Sequence, residues 1–419
     1  MGQRGTTGAA DGTAVTGATK EFEPDVMDLF VKTLRRAVGR ELSSVGTDTL
    51  LGELVSGDTD AGETIAPGIR KAGSLSGSIA GRAGRGWASD DEAPGAPTGA
   101  GAETGPDAAD AREVDAAWRE ARWRLGLGSR GPAADSGPAL PGMSGAMRAC
   151  LLLALRSARA EGTVSARCRH VARALLELPD TRAREALLLQ RLDIAAASSA
   201  LDRLDARAAA ETEGPESRGV TLLRRAGTLG RSGNVLSRAL TSWTSGSSVN
   251  GSPVLFAVSV EATRQAVRCG RAAVEPVDLL LGTLALDRAL FVSGRSLPES
   301  LAEANSAAAL MRRHGVRQDF LVSSASASAS ASAGPYAAAP DSGGVRPSAA
   351  AERAMARARL TAAEQGSPTV GTVHLLSALL DETPTDADAG AGDQVVALLT
   401  EAGVDVAALR AEPSLRPGA

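Results

Sequence analysis

Val370-Gly371-Thr372-Val373-His374-Leu375-Leu376, preceded by Glu364-Gln365-Gly366 and followed by Ser377-Ala378-Leu379-Leu380, is the stretch from which the rest of the chain can be read. Gly366 stands where a helix should end, and Thr372 is a good residue to open the next one. Leu375, Leu376, Leu379 and Leu380 then recur at the spacing of one apolar helix face. The stretch therefore reads as helix, tight turn, leucine-rich helix.

Moving outward, the same arrangement recurs three more times. Take Val45, Ala166, Val274 and Val370 as anchors. Four positions upstream sit Glu41, Gly162, Gly270 and Gly366; eight upstream sit Ala37, Ala158, Ala266 and Ala362. Twelve upstream are Thr33, Ala154, Ala262 and Ala358, so small residues form a stripe on which another helix can pack closely. Two positions downstream come Thr47, Cys168, Pro276 and Thr372, all compatible with a helix start. The leucine helix follows as Leu50-Leu51-Leu54-Val55, Val171-Ala172-Leu175-Leu176 and Leu279-Leu280-Thr283-Leu284. In the last block a further helix is expected over Asp393 to Ala402 and a short one over Val404 to Ala411. Four diverged copies of one helical unit are thus expected.

Composition agrees with an all-α chain. Of 419 residues 43% are hydrophobic but only 2% aromatic, and the apolar set is dominated by the helix formers Ala and Leu. The boundaries read as a tail over 1–20, copy one over 21–81, a Gly/Pro/Ala-rich insert over 82–142 with a helix at 111–127, and copy two over 143–207. A linker over 208–250, copy three over 251–322, a Ser/Ala low-complexity linker over 323–346, copy four over 347–412 and a tail over 413–419 complete the chain. The Ser-Ala run has nothing to bury and is expected to be disordered.

Several function classes lose ground here. A net charge of −4 gives no global pull toward nucleic acid or anionic lipid. No window approaches the ~20 apolar residues of a membrane helix, residues 1–20 lack the apolar core of a signal peptide, and three cysteines make no disulfide framework. A cytoplasmic, non-membrane protein is expected. The only lysines are Lys20, Lys32 and Lys71, none after a glycine, so there is no Walker A loop and no ATPase motor. Cys168 and His170 lie two apart and do not share a helix face, which favours a structural reading over a metal or nucleophile site. Asp90-Asp91-Glu92 reads as a solvated loop, and Arg35-Arg36, Arg224-Arg225 and Arg312-Arg313 as solvated helix faces. No cofactor, metal or catalytic residue is expected. Trp118 and Trp243 fall in the connections, and an aromatic there must bury against either the domains or a partner.

Val370-Gly371-Thr372-Val373-His374-Leu375-Leu376 and, more loosely, Val45-Gly46-Thr47-Asp48-Thr49-Leu50-Leu51 resemble the N-terminal repeat domain of Clp chaperone ATPases. The resemblance implies that repeats of about four helices pack in pseudo-twofold pairs, giving two domains of Clp N-type, copies one with two and three with four. It implies a role in receiving adaptors and substrates for a motor and its protease. It also implies pockets for phosphoarginine, built from the Glu of a Gly-Thr-Glu-His motif and a Thr near the start of the first helix. Here the Glu position holds Asp48, Arg169, Val277 and Val373, and the Thr position of copy one falls on Glu23, where an acid would repel phosphate.

The expected function is a non-enzymatic protein-binding module, an adaptor or regulator for a Clp ATPase, a protease subunit or a client polypeptide. Asp48, Leu50, Leu51, His374, Leu375, Leu376, Trp118 and Trp243 are the candidate contacts. A structural or oligomerising scaffold is the alternative. A hydrolase would need a nucleophile and base that the sequence does not offer, and a nucleic-acid regulator would show steep salt dependence.

Overall fold

In each copy the first helix ends where the sequence places its glycine, and for one physical reason. Gly162, Gly270 and Gly366 have φ of 72°, 76° and 62°, and Glu41 adopts the same left-handed backbone at φ 54°. The next N–H turns back onto the helix: Leu42 to Ala37, Thr163 to Ala158, Arg271 to Ala266 and Ser367 to Ala362, all N···O 2.8–3.0 Å. The recurring alanine therefore supplies the carbonyl that closes the helix, while its methyl is buried in the core.

The computed structural model describes residues 21–57, 59–82, 85–91, 106–128, 140–163, 165–208, 215–229, 252–318, 320–322, 324–325, 345–381 and 391–415. The tail 1–20, most of the Ser/Ala run and Trp243 lie outside them. Among the described residues the fold is all-α, with only two-residue strands. The chain divides into two units, Met1–Glu211 and Thr212–Ala419.

Unit 1 contains β1 (Glu21–Phe22), α1 (Pro24–Val38), β2 (Ser44–Val45), α2 (Thr47–Ser56), α3 (Asp60–Ile65) and α4 (Ile69–Arg82) from copy one. The insert supplies α5 (Pro106–Gly128). Copy two supplies β3 (Gly142–Met143), α6 (Gly145–Ala160), β4 (Ser165–Ala166), α7 (Cys168–Glu177), α8 (Arg182–Leu189) and α9 (Ile194–Ala208). The strands pair in parallel and reciprocally: Glu21–Phe22 with Ser165–Ala166, and Ser44–Val45 with Gly142–Met143. The strand before the first helix of one copy thus lies against the turn between the first and second helices of the other. Each copy thus lends the other one strand.

Unit 2 contains α10 (Arg218–Arg225), then α11 (Pro253–Arg268), β5 (Ala273–Val274), α12 (Pro276–Val292), α13 (Glu299–Ala302) and α14 (Ala307–Arg313). Copy four gives β6 (Arg346–Pro347), α15 (Ala349–Glu364), α16 (Thr372–Leu380), α17 (Ala391–Glu401), α18 (Val406–Arg410) and a final 3-10 turn, Pro413–Leu415. Ala273–Val274 pairs with Arg346–Pro347. The reciprocal half appears as the Ser252 hydroxyl donating to the Val370 carbonyl at 2.6 Å.

One contact that joins each pair recurs at all four anchor carbonyls. The N-caps of the first helices, Glu23, Ser144, Ser252 and Ser348, stand twenty-two residues before the anchors of their own copies. Glu23, Ser144 and Ser348 donate their backbone N–H to Ala166, Val45 and Val274 at 2.9–3.0 Å, and Ser252 donates its hydroxyl to Val370. The three serines also cap their own helices by accepting from Met147, Leu255 and Ala351.

Three expectations change. The leucine helices are not one-faced: all nine residues of α16 and nine of ten in α2 are buried, because helices of both copies surround them. The insert and the first linker are not mere connections, since α5 packs on α1 and α6, and α10 on α11 and α12. The last copy runs past residue 412, because Leu415 is buried and its carbonyl accepts from Ser377 at 3.1 Å.

Candidate functional site

A helix start leaves N–H groups without intrahelical acceptors. For a helix buried at the centre of a unit, water cannot supply them, so the protein must. Each second helix solves this differently. In copy one the Asp91 carboxylate accepts from Thr47 N at 2.6 Å and the Thr47 hydroxyl at 2.9 Å. In copy two Asp25 accepts from Cys168 N at 3.1 Å. In copy three Pro276 has no N–H to satisfy. In copy four Asn305 accepts from Thr372 N at 3.0 Å.

The junction at Asp91 joins the most elements. Its second oxygen accepts from Arg182 N, the first residue of α8, at 2.9 Å, and its backbone carbonyl accepts from Ala146 N near the start of α6 at 3.0 Å. The Thr47 hydroxyl in turn accepts from Ala183 N at 3.0 Å. One residue of the insert therefore seals the starts of α2, α6 and α8. Asp91 is fully buried, so the solvated-loop reading of Asp90-Asp91-Glu92 is corrected at its central residue. The carboxylate's burial is tolerated because its donors are already in place. The stretch leading to it is also fixed: Ala88 N and Ser89 N donate to Glu185 at 2.8 and 3.0 Å, and Arg82 lies over the Trp87 ring.

Asp48 sits beside this seat. It is 1% exposed, and its Oδ1 has no hydrogen-bond partner. Burial pushes its carboxyl above the ordinary carboxylate range, the Asp91 charge pushes it further, and Arg182 opposes both. A Cβ on Gly46 would stand 2.5 Å from Asp48 Oδ1 and 2.7 Å from Asp91 Oδ2. Only glycine fits there. Gly371 in copy four is constrained likewise, by the Ala304 carbonyl 1.9 Å from an added Cβ.

Two of the three histidines, His170 and His374, are caps. Arg167 N donates to His170 Nδ1 at 2.8 Å and Gly371 N to His374 Nδ1 at 2.9 Å; Asp278 serves Glu275 N in copy three at 2.9 Å. Burial lowers the pKa of both imidazoles. Cys168 moves the other way, its thiol raised by burial and then by Asp25. A raised thiol beside a lowered imidazole is the reverse of an activated nucleophile pair. Arg169, at the motif's Glu position in copy two, pairs with Glu161 at 2.8 Å and with Asp205 on α9. Burial alone would raise Asp205, but the hydrogen bonds and charges of Arg169 and Arg173 outweigh it and hold it low.

The candidate contacts fall inside the units. Leu50, Leu51 and Leu375 are fully buried, Leu376 is 2% exposed and His374 3%. These side chains form the cores and cannot touch a partner while the fold is closed. Trp118 is in the unit 1 core, on the face of α5 that meets α1 and α6, so of its two expected roles the structure shows docking on the domain. Trp243 lies outside the described residues.

Compared with the models of known families, with curated proteins and with solved structures, the chain matches none. Its description therefore rests on its own geometry. Sequence reasoning missed Asp91 and Asn305, which reach their helix starts across 44 and 67 residues. It also missed Ser144, Ser252 and Ser348, whose constant offset from the anchors was a readable signal. Among the described residues no group of three or more His, Cys, Asp or Glu side chains could hold a metal, and no helix is long and apolar enough to cross a membrane.

Proposed function

We propose that this chain is a non-enzymatic protein-recognition module of the Clp N-terminal domain type, acting as an adaptor or regulator that engages protein segments or a Clp chaperone-protease. The observation that carries the reading is the reciprocal pairing of copies in each unit, since pseudo-twofold pairs are what the resemblance implies. The phosphoarginine role is not part of the proposal. Asp48 is buried, and the neighbouring helix start is filled by Asp91, so copy one offers no open anion seat.

A structural scaffold is the second reading, favoured by the interior position of the leucine helices. The two separate in one experiment. The full-length chain is added to a purified Clp ATPase with its protease, and degradation of a model substrate and co-sedimentation are followed. An adaptor or regulator co-sediments with the ATPase and changes the degradation rate. A scaffold does neither and sediments as a defined oligomer of itself.

A further inference from the structure

In unit 1 the insert helix α5 lies across the first helices of both copies, α1 and α6. Its buried stripe is Val114, Ala117, Trp118, Ala121 and Leu125. Against α6, Asp115 pairs with Arg148, Asp110 with Arg159, and Asp107 with Arg156 at 3.3 Å. Against α1, Arg124 approaches Asp28 at 3.4 Å, next to the buried Met27. Met27 and Arg148 hold the same place in their copies, eighteen residues before the anchor. They mark the face of a first helix that α5 covers.

Unit 2 repeats this arrangement without the cover. Ser252 and Ser348 tie α11 and α15 to each other's copies as Glu23 and Ser144 tie α1 and α6. α15 packs on α16 and α12 as α6 packs on α7 and α2, yet no described helix takes the place of α5. α10 is not its counterpart. Gly219 N of α10 donates to Glu261 at 3.2 Å, a position about 140° around α11 from the place of Met27. That place holds Phe256, 57% exposed, and the place of Arg156 holds Leu360, 64% exposed. Ala356 and Ala363, which stand where α6 has Leu152 and Arg159, are exposed as well. The other large hydrophobic side chains exposed among the described residues of unit 2 are Phe291 and Phe320, on other helices.

Two charged groups share this face of α15. Glu352, in the place of Arg148, is exposed, and Arg359 is partly buried with no hydrogen-bond partner for its Nε. They lie about 10 Å apart along the helix; burial lowers the pKa of Arg359, and no carboxylate offsets it. The α5 of a second copy is a poor occupant. Its Asp115 would meet Glu352, and Asp107 and Asp110 would meet Leu360 and Ala363 instead of arginines. We infer that the α11–α15 face of unit 2 is a docking surface for an amphipathic helix of a partner protein, laid as α5 is laid in unit 1. Its apolar side covers Phe256, Ala356 and Leu360, a basic residue meets Glu352, and an acceptor reaches Arg359. The inference rests on the proposed reading only in taking the chain to bind protein.

The test uses the full-length chain and two fluorescent peptides. One is the α5 sequence, residues 106–128; the other is the same sequence with Asp107→Leu, Asp110→Leu and Asp115→Lys. The changed peptide is expected to bind saturably, and the unchanged one at least about tenfold more weakly, or ~1.4 kcal/mol. Phe256→Ser with Leu360→Ser in the chain should weaken the changed peptide at least about tenfold. Glu352→Lys should narrow the gap between the two peptides about threefold, the scale of an exposed ion pair. All three positions are exposed, and circular dichroism checks that each variant is folded. No binding of the changed peptide, equal binding of the two, or undiminished binding by the Phe256 and Leu360 variant overturns the inference. So does self-association of the wild type that this variant abolishes. Peptide binding lost in the variant, without any response of the Clp ATPase of the preceding section, sustains the surface and overturns the adaptor reading. A response of the ATPase without peptide binding does the reverse.

Discussion

Replacing Asp91 by alanine is expected to be the most damaging single change in the segment that follows α4. The carboxylate accepts from Thr47 N, the Thr47 hydroxyl and Arg182 N at 2.6–2.9 Å, and the site is closed to solvent. Hydrogen bonds to a charged group contribute about 1.5–3 kcal/mol each, and stranding the donors carries their desolvation penalty. The sum is reduced because Asp48 loses a repulsive neighbour and water can enter the gap. A net loss of about 3–5 kcal/mol results, the range for breaking a buried charged contact. Asp91→Asn should cost less, about 1–3 kcal/mol, because one oxygen still accepts while the amide faces the other N–H. Asn305 shows that an amide suffices where a single N–H, that of Thr372, needs an acceptor. Trp87, Trp118 and Trp123 belong to unit 1 and only Trp243 to unit 2, so in a Trp243→Phe background tryptophan emission during urea or thermal unfolding follows unit 1. At roughly 2–4 °C per kcal/mol for a unit of this size, Asp91→Ala should lower its midpoint by about 6–20 °C, with Asp91→Asn between it and wild type. A shift of under ~2 °C for Asp91→Ala, or an Asn variant weaker than the Ala variant, would refute the idea that this one carboxylate seals the starts of α2 and α8.

Glu41 holds the left-handed position that glycine fills in the other copies. Glu41→Gly removes about 1–2 kcal/mol of strain and costs about 0.5–1 kcal/mol in unfolded-state entropy, so a small gain in the unit 1 urea midpoint is expected. Ser348→Ala removes the cap on Ala351 N and should cost about 1 kcal/mol, read as a lower unit 2 midpoint by far-ultraviolet circular dichroism. Asp278 is held up to about 6 by burial, which outweighs the attraction of Arg271. The folded state therefore binds more protons than the unfolded chain between the ordinary carboxylate range and about 6. The contribution of Asp278 to unit 2 stability is full below that window and declines as pH rises through it. Asp278→Asn, which keeps an acceptor for Glu275 N, should flatten that slope; an unchanged slope would remove Asp278 as its source.

The parts of the fold legible in the sequence are those fixed by local backbone geometry. A left-handed helix end favours glycine and the closing carbonyl comes from the turn before it, so glycine stands four residues before the anchor in three of the four copies and alanine eight residues before it in all four. Burial on all sides was not legible, because Leu375 and Leu376 repeat in the same way whether one face or the whole of α16 is covered. Thr49, Ser377 and Glu53 look like a solvent face, yet all three are buried, Ser377 under the end of its own copy at Leu415 and Glu53 against Arg36. Asp91 was illegible for a different reason. An acid in a Gly- and Pro-rich stretch has the composition of a loop, and only its distant partners Thr47, Arg182 and Ala146 reveal a seat. Trp118 belongs with it, since an aromatic in an insert does not say where it packs.

The exchanged strands set a condition on how this protein is made. As the chain leaves the ribosome, Glu21 and Phe22 emerge early, but the residues they pair with, Ser165 and Ala166, follow only after the whole insert and α6. Copy one must therefore wait, its first strand unpaired and its leucine helix covered only by its own neighbours, until copy two has been translated. Stability arrives per pair rather than per copy. A message truncated between them yields a chain with an exposed core, and duplication of such a gene preserves foldability only when it doubles an even number of copies.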